Sequence, residues 1–274
     1  ARTGSSAFDI YVKCGAKYVY HDTFMPTLGD HYEAISRFKV PGMKDVMLHF
    51  PTYSDVKNLY IGVAEGSRIE HSAPYRYLKP VVYYGSSITQ GACASRPGNA
   101  YEAIISNDLD CDFINLGFSG SALAEEAITD YINSLDMSVF VMDYDHNAPN
   151  PEHLERTHEA FFKKIRASHP DLPVIMISRP TFEEGYGGPH AYGISVIPPE
   201  NEMLRCREVV FRTYMNAVNA GDRSVYFIDG ASLFNGPHAD LCTVDGVHPN
   251  DAGFLRMADR IGSFVSAALP EDPA

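Results

Sequence analysis

The spacing of apolar positions changes part-way along the chain. Over residues 8–63, aromatic and β-branched residues recur without a helical period and predict short strands at 8–13, 16–20, 34–40, 45–50 and 58–63. Gly15-Ala16 and Pro41-Gly42 read as the turns of an antiparallel all-β unit. Segment 66–80, with Gly66, Ser67, Ser72, Pro74 and Pro80, reads as a connector. Beyond it, continuous apolar runs of strand length fall at 81–84, 112–116, 138–142, 173–177 and 224–228, with helical patterns between them. Leu123, Ala127, Ile128, Tyr131 and Ile132 share one helix face, and Leu154, Phe161, Phe162 and Ile165 a second. Val210, Tyr214, Ala217 and Val218 share a third, and Phe254, Met257, Ile261 and Phe264 a fourth. Asn150-Pro151 supplies a cap and a first-turn proline for the second of these helices. Such alternation implies a five-stranded parallel sheet covered on both faces, with a flavodoxin-like strand order. The expected division is a small antiparallel β module over 1–75 and a three-layer α/β/α domain over 76–274.

Composition narrows the function more than the fold. A net charge of −13, from 35 acidic and 22 basic residues, disfavours a nucleic-acid partner. No apolar run reaches the roughly 18 residues of a membrane helix, so no membrane span is expected. Five scattered cysteines, none in C-x-x-C spacing, favour free thiols and lean towards a reducing compartment such as the cytoplasm. The chain opens Ala-Arg-Thr without a Met, so the lack of a visible signal peptide carries no weight. Oligomeric state is open.

Four modest motifs follow strands of the second domain. The first is Gly85-Ser86-Ser87-Ile88-Thr89-Gln90-Gly91, a small-residue strand-to-helix turn that exposes a hydroxyl at a helix N-terminus. It lacks the lysine of a P-loop and is not a G-x-S-x-G elbow. The second, Gly117-Phe118-Ser119-Gly120, offers backbone N–H groups to the same edge; a dinucleotide loop there would need G-x-G-x-x-G, which is absent. The third, Asp145-His146-Asn147, offers an amide donor or simply forms a turn. The fourth, Asp245-Gly246-Val247-His248, lets a carboxylate fold back on an imidazole, as a general base requires, or is a helix-entry loop with a surface histidine. His146, His153 and His158 do not have metal-ligand spacing. His146 is a candidate cleft residue, and Arg179 a candidate either for a substrate group or for an ion pair. Residues 181–200 form a Gly- and Pro-rich stretch after a strand. They read as a lid or substrate wall carrying Tyr186 and His190, or as an insertion without a role.

In this order, Ser, Gly, Asn and Asp-x-x-His resemble the SGNH or GDSL hydrolases, over roughly residues 78–268. The resemblance implies Ser87 as nucleophile, Asp245 and His248 as its partners, and an oxyanion hole from the N–H groups of Ser87 and Gly120 and the Asn147 amide. Two positions depart from the family pattern: Ser86 stands for the usual Asp, and Asp145-His146-Asn147-Ala148 for the usual G-x-N-D. The GSSITQG form with a preceding β region is similar to a branch carrying an N-terminal jelly-roll-like module. In that branch more residues precede the point where this chain begins, so an incomplete module is expected. The activity implied is hydrolysis of small-acyl esters, acetyl esters of carbohydrates above all, with no metal or cofactor. The rivals are an acyltransferase using the same residues, and a carbohydrate-binding protein resting on Tyr11, Tyr18, Tyr20 and Phe24.

Overall fold

The computed structural model describes residues 2–29, 31–180 and 200–271. One helical turn, α1 (Arg2–Ser5), leads into three antiparallel strands, β1 (Phe8–Cys14), β2 (Lys17–Phe24) and β3 (Val46–His49), in the order β2-β1-β3. The Gly15-Ala16 turn forms as expected: Cys14 pairs with Lys17, and Gly15 takes φ +67°, open to glycine without a steric cost. The strands expected at 34–40 and 58–63 are absent, and both stretches lack regular structure. Their side chains face solvent, Ile35 at 80% and Tyr60 at 89% exposure. Strand propensity expresses pairing with and packing on a neighbouring strand; neither stretch pairs, and Phe38 only stacks its ring on His21 of β2.

The second part of the chain runs β4 (Tyr77–Gly85), α2 (Ser87–Gln90), α3 (Tyr101–Leu109), β5 (Cys111–Gly117), α4 (Glu126–Asn133) and β6 (Val139–Asp143). It continues through α5 (Pro151–Ser168), β7 (Val174–Ile177), α6 (Glu200–Asn219), β8 (Val225–Ile228) and α7 (Asp251–Ala268). Its five strands are parallel, in the flavodoxin-like order β5-β4-β6-β7-β8. β4 starts at Tyr77 and so takes in the end of the expected connector. Pro80 sits where the register with β5 shifts, so its missing N–H breaks no ladder.

Alternation along β4 builds the three layers. Val81 and Tyr83 point to one face, with Tyr101 and Ile105 of α3 and Phe254 and Ile261 of α7. Val82 and Tyr84 point to the other, with Ile132 of α4, Leu154 and Phe161 of α5 and Val210 of α6. All four strand side chains are fully buried. Burial on this scale contributes about 1.5–3 kcal/mol for each large apolar side chain, which is why the run must be apolar throughout. α3 went unseen in the apolar pattern because Glu102 and Ser106 occupy its buried face.

The three-stranded sheet docks beside α3. The buried Asp9 carboxylate accepts from Gly98 N–H at 2.9 Å and from Thr23 Oγ1 at 3.0 Å. The Asn107 amide meets both backbone groups of Tyr18, at 2.8 and 2.9 Å. Gly98 leaves room for the Tyr11 ring, since a Cβ there would lie 2.3 Å from the Tyr11 hydroxyl.

Candidate active site

In this topology the strand order reverses around β4, and the carboxyl ends of β4, β5 and β6 border a crevice open to ligands. Three of the four motifs stand at those ends. After β4, the chain turns sharply at Gly85, where any Cβ would meet Thr89 Oγ1 at 2.0 Å and the Asp143 carbonyl at 2.4 Å. Ser86 caps α2, its hydroxyl accepting from Ile88 N–H at 3.1 Å. Ser87 is therefore the first helical residue. Its N–H lacks an intrahelical acceptor, as first-turn donors do, and the residue is 9% exposed.

The fourth motif arrives from the loop before α7. Thr243 bridges to Pro249, Val244 N–H donates to the His248 carbonyl at 3.0 Å, and Asn250 caps α7. Inside that closed loop Asp245 Oδ1 accepts from the N–H groups of Val247 and His248, at 3.0 and 2.7 Å. Oδ2 takes His248 Nδ1 at 2.7 Å, and His248 Nε2 lies 3.0 Å from Ser87 Oγ. Partial burial raises the Asp245 pKa, but the hydrogen bonds from His248 and Val247 and the His248 charge outweigh it and hold the carboxyl below its ordinary value. An ionised Asp245 keeps the proton on Nδ1 and leaves the Nε2 lone pair towards Ser87.

After β5, Gly120 takes φ +70°, and the space around its Cβ direction is open. Its N–H has no acceptor among the described residues. After β6, residues 145–147 make a 3₁₀ turn. Asn147 Oδ1 accepts from Ala122 N–H at 3.1 Å, which fixes the amide and leaves Nδ2 as a free donor. Asp145 and Arg179 hold that turn. The Arg179 N–H donates to Asp145 Oδ2 at 2.8 Å, Nε to Oδ1 at 3.1 Å, and Nη2 to the Asp145 carbonyl at 2.6 Å. Arg179 is 4% exposed, so its guanidinium is committed to Asp145 rather than presented at a surface.

His146 lies in the same turn, and its Nε2 is buried without a hydrogen-bond partner. Burial, with the charges of Arg179 and His248 nearby, pushes its pKa well down, leaving a neutral imidazole. His153 and His158 serve packing: their ring nitrogens meet the Leu123 carbonyl at 3.1 Å and the Thr213 hydroxyl at 2.9 Å. Tyr186 and His190 fall outside the described residues. Among the described residues no group of three His, Cys, Asp or Glu side chains has metal-binding geometry. A groove of about 810 Å³ between the ends of α5 and α6 borders the opposite, amino edge of the sheet, lined by Pro170, Asp171 and Asp222.

Several residues at the carboxyl edge, Gln90 apart, carry no sequence signal. Tyr53, from the loop after β3, brings its hydroxyl to 3.5 Å from the Ser87 carbonyl. Gln90 joins Ser119 N–H to the Thr52 carbonyl. Beneath α2, Asp143 Oδ2 accepts from Thr89 Oγ1 and from the Tyr101 hydroxyl, both at 3.2 Å. Burial pushes the Asp143 pKa up to about 7 despite those bonds. Only Gln90 had a local clue, lying three residues after Ser87 on one helical turn.

A model of the GDSL-like lipase/acylhydrolase family matches residues 78–266. Among curated proteins none matches the chain. A protein described as a GDSL-like lipase from Bacteroides ovatus ATCC 8483 is similar in structure, with a TM-score of 0.85 at 29% identity over 98% of this chain and 76% of its own. A salicylyl-acyltransferase from a tetracycline biosynthetic pathway superposes with a TM-score of 0.69 at 17% identity, over 96% of this chain and 73% of its own. A family two carbohydrate esterase from Clostridium thermocellum, in complex with cellohexaose, gives 0.61 at 14% identity, over 97% and 86%. At these lower identities the likeness is one of fold.

Proposed function

The chain belongs to the GDSL-like lipase/acylhydrolase family, and on that footing we propose that it is a serine esterase cleaving small-acyl esters, acetyl groups on carbohydrates foremost. The observation that carries this reading is the hydrogen-bonded line from Ser87 Oγ through His248 to Asp245, at 3.0 and 2.7 Å. Ser87 Oγ attacks the ester carbonyl while His248 Nε2 takes its proton. Asp245, ionised, stabilises the imidazolium that results. The negative oxygen of the tetrahedral intermediate is held by the N–H groups of Ser87 and Gly120 and by Asn147 Nδ2. Collapse expels the alcohol, which takes the proton from His248, and leaves acyl-Ser87. Water, deprotonated by His248, then attacks the acyl carbon; the acyl–Oγ bond breaks, His248 returns the proton to Ser87 Oγ, and the carboxylic acid leaves.

Carbohydrate as the alcohol component is supported by the likeness to the esterase that holds cellohexaose, since a strongly acidic protein favours a neutral ligand over a polyanion. The division into a β module over 1–75 and a hydrolase domain over 76–274 belongs to the same proposal. The likeness to an acyltransferase supports a second reading, in which an alcohol replaces water in the last step.

The test is hydrolysis of p-nitrophenyl acetate and of acetylated oligosaccharides by wild type and Ser87→Ala, with covalent labelling by a fluorophosphonate. Turnover and labelling that both vanish in the variant support the esterase. Acyl transfer to an added alcohol that outruns hydrolysis moves the assignment to the transferase. A folded wild type with neither turnover nor labelling overturns both.

A further inference from the structure

We propose that Gln90 is a positioning residue for the oxyanion loop, and that the N-terminal β module sets its aim through the backbone carbonyl of Thr52. This rests on the esterase reading and adds to it a role for a part of the chain that carries none of the reacting groups.

Gln90 is the last residue of α2, the helix that begins with Ser87. Its Oε1 accepts from Ser119 N–H at 2.9 Å, and its Nε2 donates to the Thr52 carbonyl at 3.1 Å. The two bonds fix the amide, because a flipped Gln90 would set donor against donor and acceptor against acceptor. Ser119 immediately precedes Gly120. The loop itself is tied internally by Ser121 N–H to the Phe118 carbonyl, at 2.9 Å, and to β4 by Phe118 N–H to the Gly85 carbonyl, at 2.8 Å. Asn115 adds a further brace, accepting from Gly117 N–H and donating to the Thr89 carbonyl. Those contacts set where the loop starts. Gly120 has no packing neighbour on its Cβ side; its N–H shares a peptide with the Ser119 carbonyl, which accepts from Ser121 Oγ at 3.4 Å, and Gln90 holds the peptide on the other side of Ser119.

Close approach makes this tie stiff. A Cβ at Gly117 would lie 2.1 Å from Gln90 N, so helix and loop meet backbone to backbone. At the other end Thr52 is itself anchored. Its N–H and hydroxyl donate to the Gly4 carbonyl of α1, and Tyr53 N–H donates to the Ser5 carbonyl. The Thr52 methyl would meet a Cβ at Gly91 at 3.1 Å. The Tyr53 hydroxyl donates to the Ser87 carbonyl from the same strip of chain. The β module therefore reaches the nucleophile's helix directly and, through the Gln90 side chain, the loop bearing the second oxyanion donor. An oxyanion donor acts over a window of a few tenths of an ångström, 2.7–3.1 Å from the developing charge. Losing its brace lowers the rate without removing a binding contact.

Gln90→Met and Gln90→Asn remove the tie, the second by shortening it, while Gln90→Glu keeps the acceptor for Ser119 N–H. Each is compared with wild type and Ser87→Ala on p-nitrophenyl acetate, together with inhibition by a boronic acid, which forms a tetrahedral adduct on an active serine. For Met and Asn we expect kcat about tenfold lower, KM within twofold, and a boronate inhibition constant raised by the same factor as kcat falls. Gln90→Glu keeps the Ser119 bond but loses the one to the Thr52 carbonyl, so it should recover only part of the loss, and full recovery would overturn the role given to Thr52; thermal melting should place every variant tested as folded. If Met fails to fold, Asn carries the comparison. Unchanged kcat in both removal variants, a fall in kcat matched by a rise in KM, or an unchanged boronate constant overturns the proposal. Should Ser87→Ala stay active, the esterase reading fails as well. Should Ser87→Ala be silent while the Gln90 variants match wild type, only the present inference fails.

Discussion

Replacing Arg179 by Met asks whether the aim of Asn147 rests on a buried ion pair. The Asp145 and Arg179 side chains are 1% and 5% exposed, so neither charge is compensated by water. In the variant the Arg179 backbone N–H still serves Asp145 Oδ2 and Ala148 N–H still serves the Asp145 carbonyl, but Oδ1 loses its guanidinium donor. Stranding one member of a buried pair costs about 3–5 kcal/mol, and the surviving backbone bond puts the expectation near the lower figure. A domain of this size loses roughly 2–4 °C of Tm per kcal/mol, so scanning calorimetry should record a fall of about 6–12 °C. Asp145 is two residues before Asn147 in one turn, so kcat on p-nitrophenyl acetate should fall several-fold with KM little changed. The double variant Asp145→Asn with Arg179→Met removes the orphaned charge and should regain more than half of the lost stability. A single variant that loses under about 1 kcal/mol, or a double no more stable than the single, would refute the reasoning.

Asn147→Ala should lower kcat by about a hundredfold or more with little effect on KM, the loss expected for one oxyanion donor. Asn147→Asp keeps the acceptor for Ala122 N–H but not the donor, so its kcat should fall equally while its Tm stays nearer wild type; activity retained in either variant would remove Asn147 from the hole. Asp143→Asn should change how stability depends on pH. Because the folded-state pKa of about 7 lies above the ordinary value of 3.8, the folded chain binds the extra proton between those values, and wild-type stability drops as pH rises through that window. Between pH 5 and pH 8 this amounts to about 2–3 kcal/mol, and urea midpoints for the variant should show that part of the slope gone; identical slopes would mean that Asp143 is ionised throughout.

What the chain discloses locally and what it hides divide along the range of the contacts involved. The five parallel strands were legible because burial on both faces leaves continuous apolar runs, as in Val81 to Tyr84. The Asp245-x-x-His248 pair was legible because a three-residue loop determines its own geometry. The strands expected at 34–40 and 58–63 do not form, because composition records the propensity to pair and says nothing of whether a partner strand is present. α3 was hidden by Glu102, a carboxyl on a buried face. Tyr53 and Thr52 lie more than thirty residues from Ser87, and nothing in their local spacing announces that the β module reaches the crevice.

The two departures from the family motifs show the same division within the site itself. Ser86 replaces an aspartate, yet the cap needs only an oxygen that accepts from the N–H two residues on, and the serine hydroxyl supplies it at 3.1 Å. That exchange is self-contained. Asp145 is another matter, since a carboxylate placed beneath the Asn147 turn is tolerable only with a cation brought to it. Arg179 answers from the end of β7, across the β6–β7 neighbourhood of the sheet, with its backbone and its guanidinium both engaged. A substitution at a motif position is therefore judged by the atom the fold uses there. Where that atom is a charge, its partner is found by topology rather than by spacing, and the Asn147 amide two residues away, the proposed oxyanion donor, depends on both.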